Sequence, residues 1–131
     1  MNGVLVVGVL TFAALGGLAF GALTLARPAL VGGLLGLKLD GPSGHNEVRS
    51  QYGGFFLLLG LLAASALAGW TPATWTLVML IVTFGGLTAG RFLSLALDWR
   101  AGRYNPTIRA LCVFDACMAL SSAAALSTQL R

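Results

Sequence analysis

Charged side chains within long apolar stretches are the residues of this sequence that could do chemistry. In a helix rising about 1.5 Å per residue, Asp115 lies about 13.5 Å beyond Pro106, and Arg91 lies about 9 Å before the end of the preceding apolar stretch. A charge at bilayer depth costs about 2.5 to 3.5 kcal/mol, so each of them needs a partner or a task. We expect Arg91 and Asp115 to pair, because a guanidinium on its long side chain can cover the remaining difference in depth.

A second set of polar residues lies at the start of another apolar stretch. Glu47 and Gln51 are four residues apart and share a helix face, and Glu47 also lies near the positive end of the helix dipole. Arg49 faces elsewhere on the same helix. These side chains fall in the membrane layer that also holds Arg91. The sequence therefore predicts one polar cluster near a membrane surface, formed by Glu47, Arg49, Tyr52, Arg91, Asp98 and Asp115.

This cluster has three interpretations. Charge pairs can act as an internal clasp that fixes the register of helices, which is the interpretation we favour for so small a protein. A pocket for a lipid or small molecule is the second, and proton-coupled transport is the third; both require a water-accessible cavity beside a titratable group. A structure separates clasp from pocket by showing whether Arg49 and Arg91 are paired with acids or face a cavity.

Other chemistry has little support. His45 and Glu47, with Asp40 nearby, could suggest a metal site, but a single histidine offers too few ligands, and helix capping is favoured. Cys112 and Cys117 point about 140° apart on one helix, so we expect two free, buried thiols rather than a disulfide or a zinc site. No hydrolase, phosphate-binding or dinucleotide-binding motif occurs. We therefore predict no catalytic residue, no metal, no cofactor and no enzyme activity.

The composition indicates the class of fold that must position the cluster. Of the 131 residues, 57% are hydrophobic and 9% are charged, whereas about a quarter are charged in soluble domains. This excludes an ordinary water-soluble fold. The net charge of +4 comes from scattered residues, which does not fit a nucleic-acid-binding surface. One polytopic membrane domain, residues 1–131, remains.

The uncharged stretches define the spans. Residues 3–26 exceed the roughly 20 residues that a helix needs to cross the bilayer, and no basic residue precedes them as in a signal peptide. Residues 50–90 form a longer uncharged stretch that turns at Gly69-Trp70-Thr71-Pro72. Thr71-Pro72 and Asn105-Pro106 each read as an N-cap followed by the first helical residue. The fold class is all-α, a four-helix transmembrane bundle with helices at about 3–26, 44–69, 72–97 and 106–130.

The connections and their charges set the orientation. The apolar segment 28–37 is too short to cross the membrane and is expected to be interfacial or re-entrant. Seven basic residues fall at the connections between helices one and two or helices three and four, namely Arg27, Lys38, Arg49, Arg91, Arg100, Arg103 and Arg109. Only Arg131 lies on the other side. The positive-inside rule predicts a bacterial inner-membrane protein with both termini periplasmic and the polar cluster on the cytoplasmic side.

Small residues recur at helical spacing in every span. In lipid, helices associate by close packing and polar contacts, so small residues are expected at the seams. We expect these stripes to serve mainly internal packing rather than an oligomer face. They are Ala13, Gly17 and Gly21 in helix one; Gly53, Gly60, Ala64 and Ala68 in helix two; Gly86 and Gly90 in helix three; and Cys117, Ser121 and Ala125 in helix four.

Two motifs carry a resemblance to a known family. The segment 47–54, Glu-Val-Arg-Ser-Gln-Tyr-Gly-Gly, and the segment 90–98, which begins Gly-Arg and ends in Asp, resemble a family of small four-helix bacterial membrane proteins classed as a domain of unknown function. The resemblance covers almost the whole chain and matches Glu47, Arg49, Tyr52, Gly53, Gly54, Gly90, Arg91 and Asp98. The family usually carries a glutamate on the fourth helix, where this chain has Asp115. The resemblance implies the fold and brings no known reaction.

Three functions remain open. The first is a non-catalytic membrane protein, a structural or accessory subunit that packs in the bilayer as a homo-oligomer or within a larger complex. The second is a small carrier or a protein that binds a lipid or small molecule at the polar cluster. The third is an enzyme acting on a membrane-embedded substrate. Membrane lipids are the expected surroundings in each case. We favour the first because nearly all of the mass is predicted to lie in the membrane.

Overall fold

The computed structural model describes residues 3–98 and 105–130, and within these ranges the fold is all-α, without a strand. The predicted all-α membrane fold is confirmed. A π-helical segment, Arg49–Gly54, lies between two of the α-helices. The α-helices are α1 (Val4–Ala26), α2 (Pro28–Leu34), α3 (Gly41–Val48), α4 (Phe55–Leu67), α5 (Ala73–Asp98) and α6 (Pro106–Gln129).

Four helical segments are long and apolar enough to cross a membrane. They are α1, the continuous segment Gly41–Leu67, most of α5, and α6, with 23, 27, 25 and 24 residues. Each exceeds the roughly 20 residues that a bilayer requires. The four predicted spans are confirmed, although the second begins at Gly41 rather than residue 44 and its helix ends at Leu67 rather than residue 69.

Prolines and glycines mark the helix boundaries. Pro106 is the first residue of α6, and the Asn105 side chain accepts a hydrogen bond of 3.0 Å from the Thr107 amide, as predicted. At the turn between α4 and α5, Gly69 has φ 77° and the Trp70 amide donates to the Ser65 carbonyl at 2.9 Å. This is the left-handed helix ending that glycine favours.

The segment after α1 contains the short helix α2. Its seven residues begin at Pro28 and end before Gly36, which has φ 75°. Val31 and Gly32 are buried, and the Leu37 amide donates to the Gly32 carbonyl at 2.8 Å. The segment expected to be interfacial or re-entrant thus holds a single two-turn helix, too short to span a bilayer.

The chain divides into two compact units. One comprises Leu10–Thr71, and the other comprises the described residues up to Val9 together with those from Pro72 onward. The first unit contains most of α1 with α2, α3, the π-helical segment and α4. The second contains α5 and α6. The single-domain organisation stays a prediction.

In the first unit, α1 and α4 pack backbone to backbone. A Cβ atom added at Gly17 would lie 2.8 Å from the Gly60 Cα, and one added at Gly21 would lie 2.5 Å from the Leu57 amide nitrogen. The Phe20 and Phe56 rings meet edge to face, with centroids 5.4 Å apart. The small-residue seam predicted for these two helices is confirmed at Gly17, Gly21 and Gly60.

In the second unit, α5 packs along α6. The buried side chains of α5 include Leu77, Leu80 and Phe84, and the Phe84 and Phe114 rings meet edge to face with centroids 5.8 Å apart. The buried residues of α6 follow helical spacing and are Asp115, Met118, Ser122 and Ala125.

The glycines of α5 do not take part in this packing. Atoms added as Cβ at Gly85, Gly86 or Gly90 would meet nothing within 4 Å, and Gly86 and Gly90 are exposed. The seam predicted at Gly86 and Gly90 is therefore not an internal one. The physical reason is rotational, because Gly86 lies about 200° around the helix from Phe84 and so faces away from the buried side.

Candidate functional site

An ion pair joins α5 to α6 in the second unit. Arg91 Nε lies 2.7 Å from Asp115 Oδ2, and the two side chains are 20% and 3% exposed. Arg91 shares the inner face of α5 with Phe84, and Asp115 shares that of α6 with Met118. The predicted contact between Arg91 and Asp115 is confirmed.

In this contact the positive charge of Arg91 and the negative charge of Asp115 neutralise each other. A carboxylate almost fully removed from solvent loses several kcal/mol of hydration, and a charge-assisted hydrogen bond of this length offsets much of that loss. Neither charge would be stable at this depth without the other. For Arg91 and Asp115 the arrangement is therefore that of a clasp between helices.

At the start of the second span, Glu47 and Gln51 interact as their spacing predicts. Gln51 Nε2 donates to Glu47 Oε2 at 2.8 Å, and Ser50 Oγ donates to the Glu47 carbonyl at 3.1 Å. All three residues are exposed. The Glu47 carboxylate is thus engaged by an amide on its own helix.

Arg49 makes a contact that the sequence did not predict. Its Nε donates to the Leu25 carbonyl at 3.1 Å. The last four carbonyls of any helix lack partners within the helix, and Leu25 is one of them in α1. Basic side chains often bind such carbonyls, but the spacing alone does not reveal which helix end Arg49 reaches.

Tyr52 and Gly53 lie in the π-helical segment that follows. The Phe55 amide points to the Ser50 carbonyl, the i to i−5 pattern of a π turn. A Cβ atom at Gly53 would lie 2.7 Å from Leu25 Cδ2, so this glycine admits the Leu25 side chain. Tyr52 is half-buried. Its role in the polar cluster stays a prediction.

Arg49 also lines an open groove of about 530 Å³ in the first unit. Two further nitrogen-bearing side chains, Arg27 and His45, line the same groove. His45 Nδ1 donates to the Gly41 carbonyl at 2.9 Å, which fixes the ring against the first turn of α3. Among the residues that the structure describes, no carboxylate oxygen lies within 4.0 Å of either Arg27 or Arg49.

The six predicted cluster residues thus fall into different settings. The structure pairs Arg91 with Asp115 and places Arg49 at a groove, while Glu47 binds Gln51. Asp98 is the last residue of α5, and its side chain lies outside the described part of the structure. Arg100, Arg103 and Arg131, which the orientation argument used, also lie outside the described residues.

The cysteines differ from expectation in one respect. Cys112 and Cys117 are free, as predicted, but Cys112 is half-buried and Cys117 is exposed. Cys117 lies about 200° around α6 from Asp115, so it faces away from the packed side. The prediction of two buried thiols is therefore wrong. Among the described residues, no group of three His, Cys, Asp or Glu side chains could hold a metal ion.

Two buried hydroxyls were not singled out by the sequence. Thr76 Oγ1 on α5 and Ser122 Oγ on α6 are both fully buried, and neither has a hydrogen-bond partner in the described structure. A buried polar atom without a partner costs about 1 to 3 kcal/mol. Serine and threonine are common in helical membrane proteins, so their types gave no signal.

Comparison with known proteins identifies the family of this chain. No curated protein and no solved structure matches the chain. The family model that does match describes a domain of unknown function, DUF4345, and it covers residues 6–126, a range that includes all six cluster residues. This agrees with the resemblance carried by the two motifs. The chain belongs to the DUF4345 family.

Proposed function

We propose that this membrane protein is a non-catalytic structural or accessory subunit that associates with a second copy of itself through the outer face of α5. The outer face comprises the exposed residues Trp75, Met79, Val82, Gly86, Gly90, Leu93 and Leu97. The observation that carries the proposal is the open surface at Gly86 and Gly90, where added Cβ atoms would meet nothing within 4 Å.

The spacing of the outer face supports helix association. Its residues recur at intervals of three and four along about six turns of α5, the pattern of a seam that meets another helix. Gly86 and Gly90 lie near the middle and form the Gly-xxx-Gly arrangement that lets two backbones approach closely in a membrane.

Exposure of apolar side chains alone would not support this proposal. Leucine and valine on a membrane span are in their ordinary solvent when they face lipid. Glycine is different because it offers lipid little contact area and lowers helix propensity by about 1 kcal/mol relative to alanine. The buried glycines of α1 and α4 each receive a neighbouring backbone, and a second copy would give Gly86 and Gly90 the same kind of neighbour.

The Arg91–Asp115 pair, on the opposite side of α5 from the outer face, also supports the proposal. It fixes the rotation and register of α5 against α6 by a short contact at 2.7 Å. A helix held in this way presents one constant face to a partner. In this proposal the pair acts as the clasp between helices that we favour from the sequence.

The experiment measures the mass of the protein purified in a mild detergent. We expect a species well above the 13.5 kDa of one chain. Gly86→Leu and Gly90→Leu should lower the fraction of the larger species, because each side chain would hold the two backbones apart.

Gly85→Leu is the matched control. Gly85 also has nothing within 4 Å, but it lies about 100° around α5 from Gly86, away from the outer face. This variant should keep the larger mass. A monomeric unaltered protein, or equal loss in all three variants, would contradict the proposal.

The proposed location is the bacterial inner membrane, with residues 27–40 in the cytoplasm and residues 68–72 in the periplasm. The excess of basic residues at the connections between spans one and two and spans three and four supports this orientation. Both termini would then be periplasmic. Membrane lipids would surround the protein, and no nucleic acid would bind it.

A second candidate function is the binding of a lipid or small molecule. The specific observation in its favour is that Arg49 lines the open groove without a carboxylate within 4.0 Å among the described residues. An arginine placed in this way can bind an anion. This function does not exclude the first, because the groove and the outer face of α5 belong to different units.

A further inference from the structure

We propose that the groove lined by Arg27, His45 and Arg49 binds the headgroup phosphate of an anionic phospholipid. This inference deepens the second candidate function and gives that function a ligand class and a set of residues. The groove has an open volume of about 530 Å³. Its basic side chains come from the end of α1 and from the first turns of the second span.

The charge of the groove is the first argument. Arg27 and Arg49 both line it, and no described carboxylate oxygen lies within 4.0 Å of either guanidinium. Two cations facing one groove repel each other unless an anion lies between them. Guanidinium groups bind phosphate oxygens through paired hydrogen bonds, so the negative charge of a headgroup phosphate between Arg27 and Arg49 would reduce their mutual repulsion.

The second argument is that two of these side chains are already held in place. Arg49 donates through Nε to the Leu25 carbonyl, and its two terminal nitrogens carry four further N–H donors. His45 donates through Nδ1 to the Gly41 carbonyl, which leaves its second ring nitrogen, Nε2, able to hydrogen-bond to a ligand. A ligand would therefore find two fixed side chains, which lowers the entropic cost of binding.

The hydrogen-bonding groups of the groove limit which phospholipid headgroups fit it. Two guanidinium groups donate to a phosphate, and Nε2 of His45 can hydrogen-bond to a hydroxyl group. A headgroup that carries hydroxyls beside its phosphate, such as phosphatidylglycerol, satisfies both. A phosphatidylcholine headgroup places a fixed positive charge beside two arginines and is disfavoured.

The position of the groove favours a lipid over a free anion. Arg27 directly follows the 23-residue apolar helix α1, and His45 and Arg49 lie near the start of the second span, so the groove opens at a membrane boundary. Its other walls include Pro28, Leu30 and Pro42, an apolar surface suited to the glycerol and upper acyl region of a lipid. Basic pockets between transmembrane helices commonly bind anionic headgroups in this layer.

The experiment compares lipid retention by the full-length chain in nanodiscs of phosphatidylcholine that contain a minor share of phosphatidylglycerol. Native mass spectrometry after release counts the bound lipids. The unaltered protein should retain phosphatidylglycerol selectively. Arg27→Gln should weaken this retention about tenfold, the effect expected for one charge-assisted contact at a partly exposed site.

Arg109→Gln is the matched control, because Arg109 is an exposed arginine on α6 and its loss changes the net charge by the same amount. It should leave retention unchanged. Arg49→Lys is a second variant that keeps the charge but removes paired donation from a guanidinium, and it should also weaken retention. Circular dichroism would establish that each variant remains helical.

Three outcomes would overturn the proposal. Equal effects of Arg27→Gln and Arg109→Gln would show a response to net charge alone. Selective retention that neither Arg27→Gln nor Arg49→Lys changes would place lipid binding elsewhere and leave the second candidate function intact. Absence of selective retention in the unaltered protein would contradict both the groove and that function.

A parallel experiment adds inorganic phosphate at constant ionic strength to distinguish a phospholipid headgroup from a soluble phosphate as the ligand of the groove. Millimolar phosphate should not displace the phospholipid, whose acyl chains add apolar contacts. Displacement at such concentrations would overturn the assignment to a lipid and indicate a soluble phosphate ligand instead. Self-association measured on the same samples reports separately on the outer face of α5.

Discussion

At the scale of single residues, the distribution of charge explains most of the polar structure of this chain. Asp115 is 3% exposed and survives there because Arg91 lies 2.7 Å away. Arg49 remains exposed and uses a helix-end carbonyl instead of an acid. Two arginines of the same predicted cluster thus have different partners, an acid on the neighbouring helix for Arg91 and a main-chain carbonyl for Arg49.

The Arg91–Asp115 contact predicts a coupled loss of stability. Asp115→Ala and Arg91→Ala should each cost about 3 kcal/mol, since each leaves a charge without its partner in a poorly solvated site. The double variant should cost much less than the two losses added together. Reversible unfolding in mixed detergent micelles measures these free energies.

Ser122→Ala is the matched control for this cycle. Ser122 is as buried as Asp115 on the same face of α6, but its hydroxyl has no hydrogen-bond partner among the described residues, so its removal should leave the free energy of unfolding unchanged or raise it slightly. Additive losses for Arg91→Ala and Asp115→Ala would mean that the contact contributes no coupling energy.

At the scale of elements, glycine has two distinct uses. In α1 and α4 it removes the side chain where two backbones meet, and in α5 it leaves an open surface on the outer face. The π-helical segment Arg49–Gly54 adds a third device. A π turn widens the helix, and here it lies where Arg49 reaches Leu25 and Gly53 admits the Leu25 side chain.

The surroundings of these glycines predict that substitution by alanine lowers the free energy of unfolding by different amounts. Gly21→Ala and Gly60→Ala should lower the free energy of unfolding by about 1 to 3 kcal/mol, because their Cβ atoms would lie 2.5 to 2.6 Å from backbone nitrogens of the facing helix. Gly53→Ala should cost less, since the nearest atom is the end of the flexible Leu25 side chain.

Gly86→Ala is the control within this series. It adds a methyl group in open space and improves helix propensity, so the stability of the monomer should stay constant or rise slightly. Thermal unfolding in a detergent that keeps the protein monomeric provides the comparison. A larger loss at Gly86 than at Gly21 would contradict the assignment of the two seams.

At the scale of the whole molecule, the asymmetric distribution of basic residues predicts how the chain crosses the membrane. Lys38 lies in the connection between the first two spans, and Trp70 lies in the turn between the second and third. Both are exposed. The positive-inside rule places Lys38 in the cytoplasm and Trp70 in the periplasm.

Cysteine labelling in intact cells tests this orientation. In a chain with Cys112 and Cys117 replaced by alanine, Trp70→Cys should react with a membrane-impermeant maleimide and Lys38→Cys should react only after the cells are opened. Removing Cys117 matters because its thiol is exposed on α6. The reverse labelling pattern would invert the proposed topology and move the groove to the periplasmic surface.

Composition and hydropathy were enough to predict the class of fold and the spans. Long uncharged stretches can be stable as helices in lipid, since every backbone group must bond within its own segment, so length and hydropathy sufficed. The Asn105 cap was predictable from the local sequence Asn-Pro. The contact between Arg91 and Asp115 was predictable from the calculated membrane depths of the two residues, because a charge in a membrane has few available partners.

The packed faces of the helices could not be predicted without the three-dimensional structure. Nearly every residue of these spans is apolar, so the sequence contains no inside and outside pattern to show that Gly86 and Cys117 face away from the packed side. It also gave no sign of the π-helical segment or of the Leu25 carbonyl as the partner of Arg49. These depend on the rotation and register of neighbouring helices, which close packing sets and which local sequence does not encode.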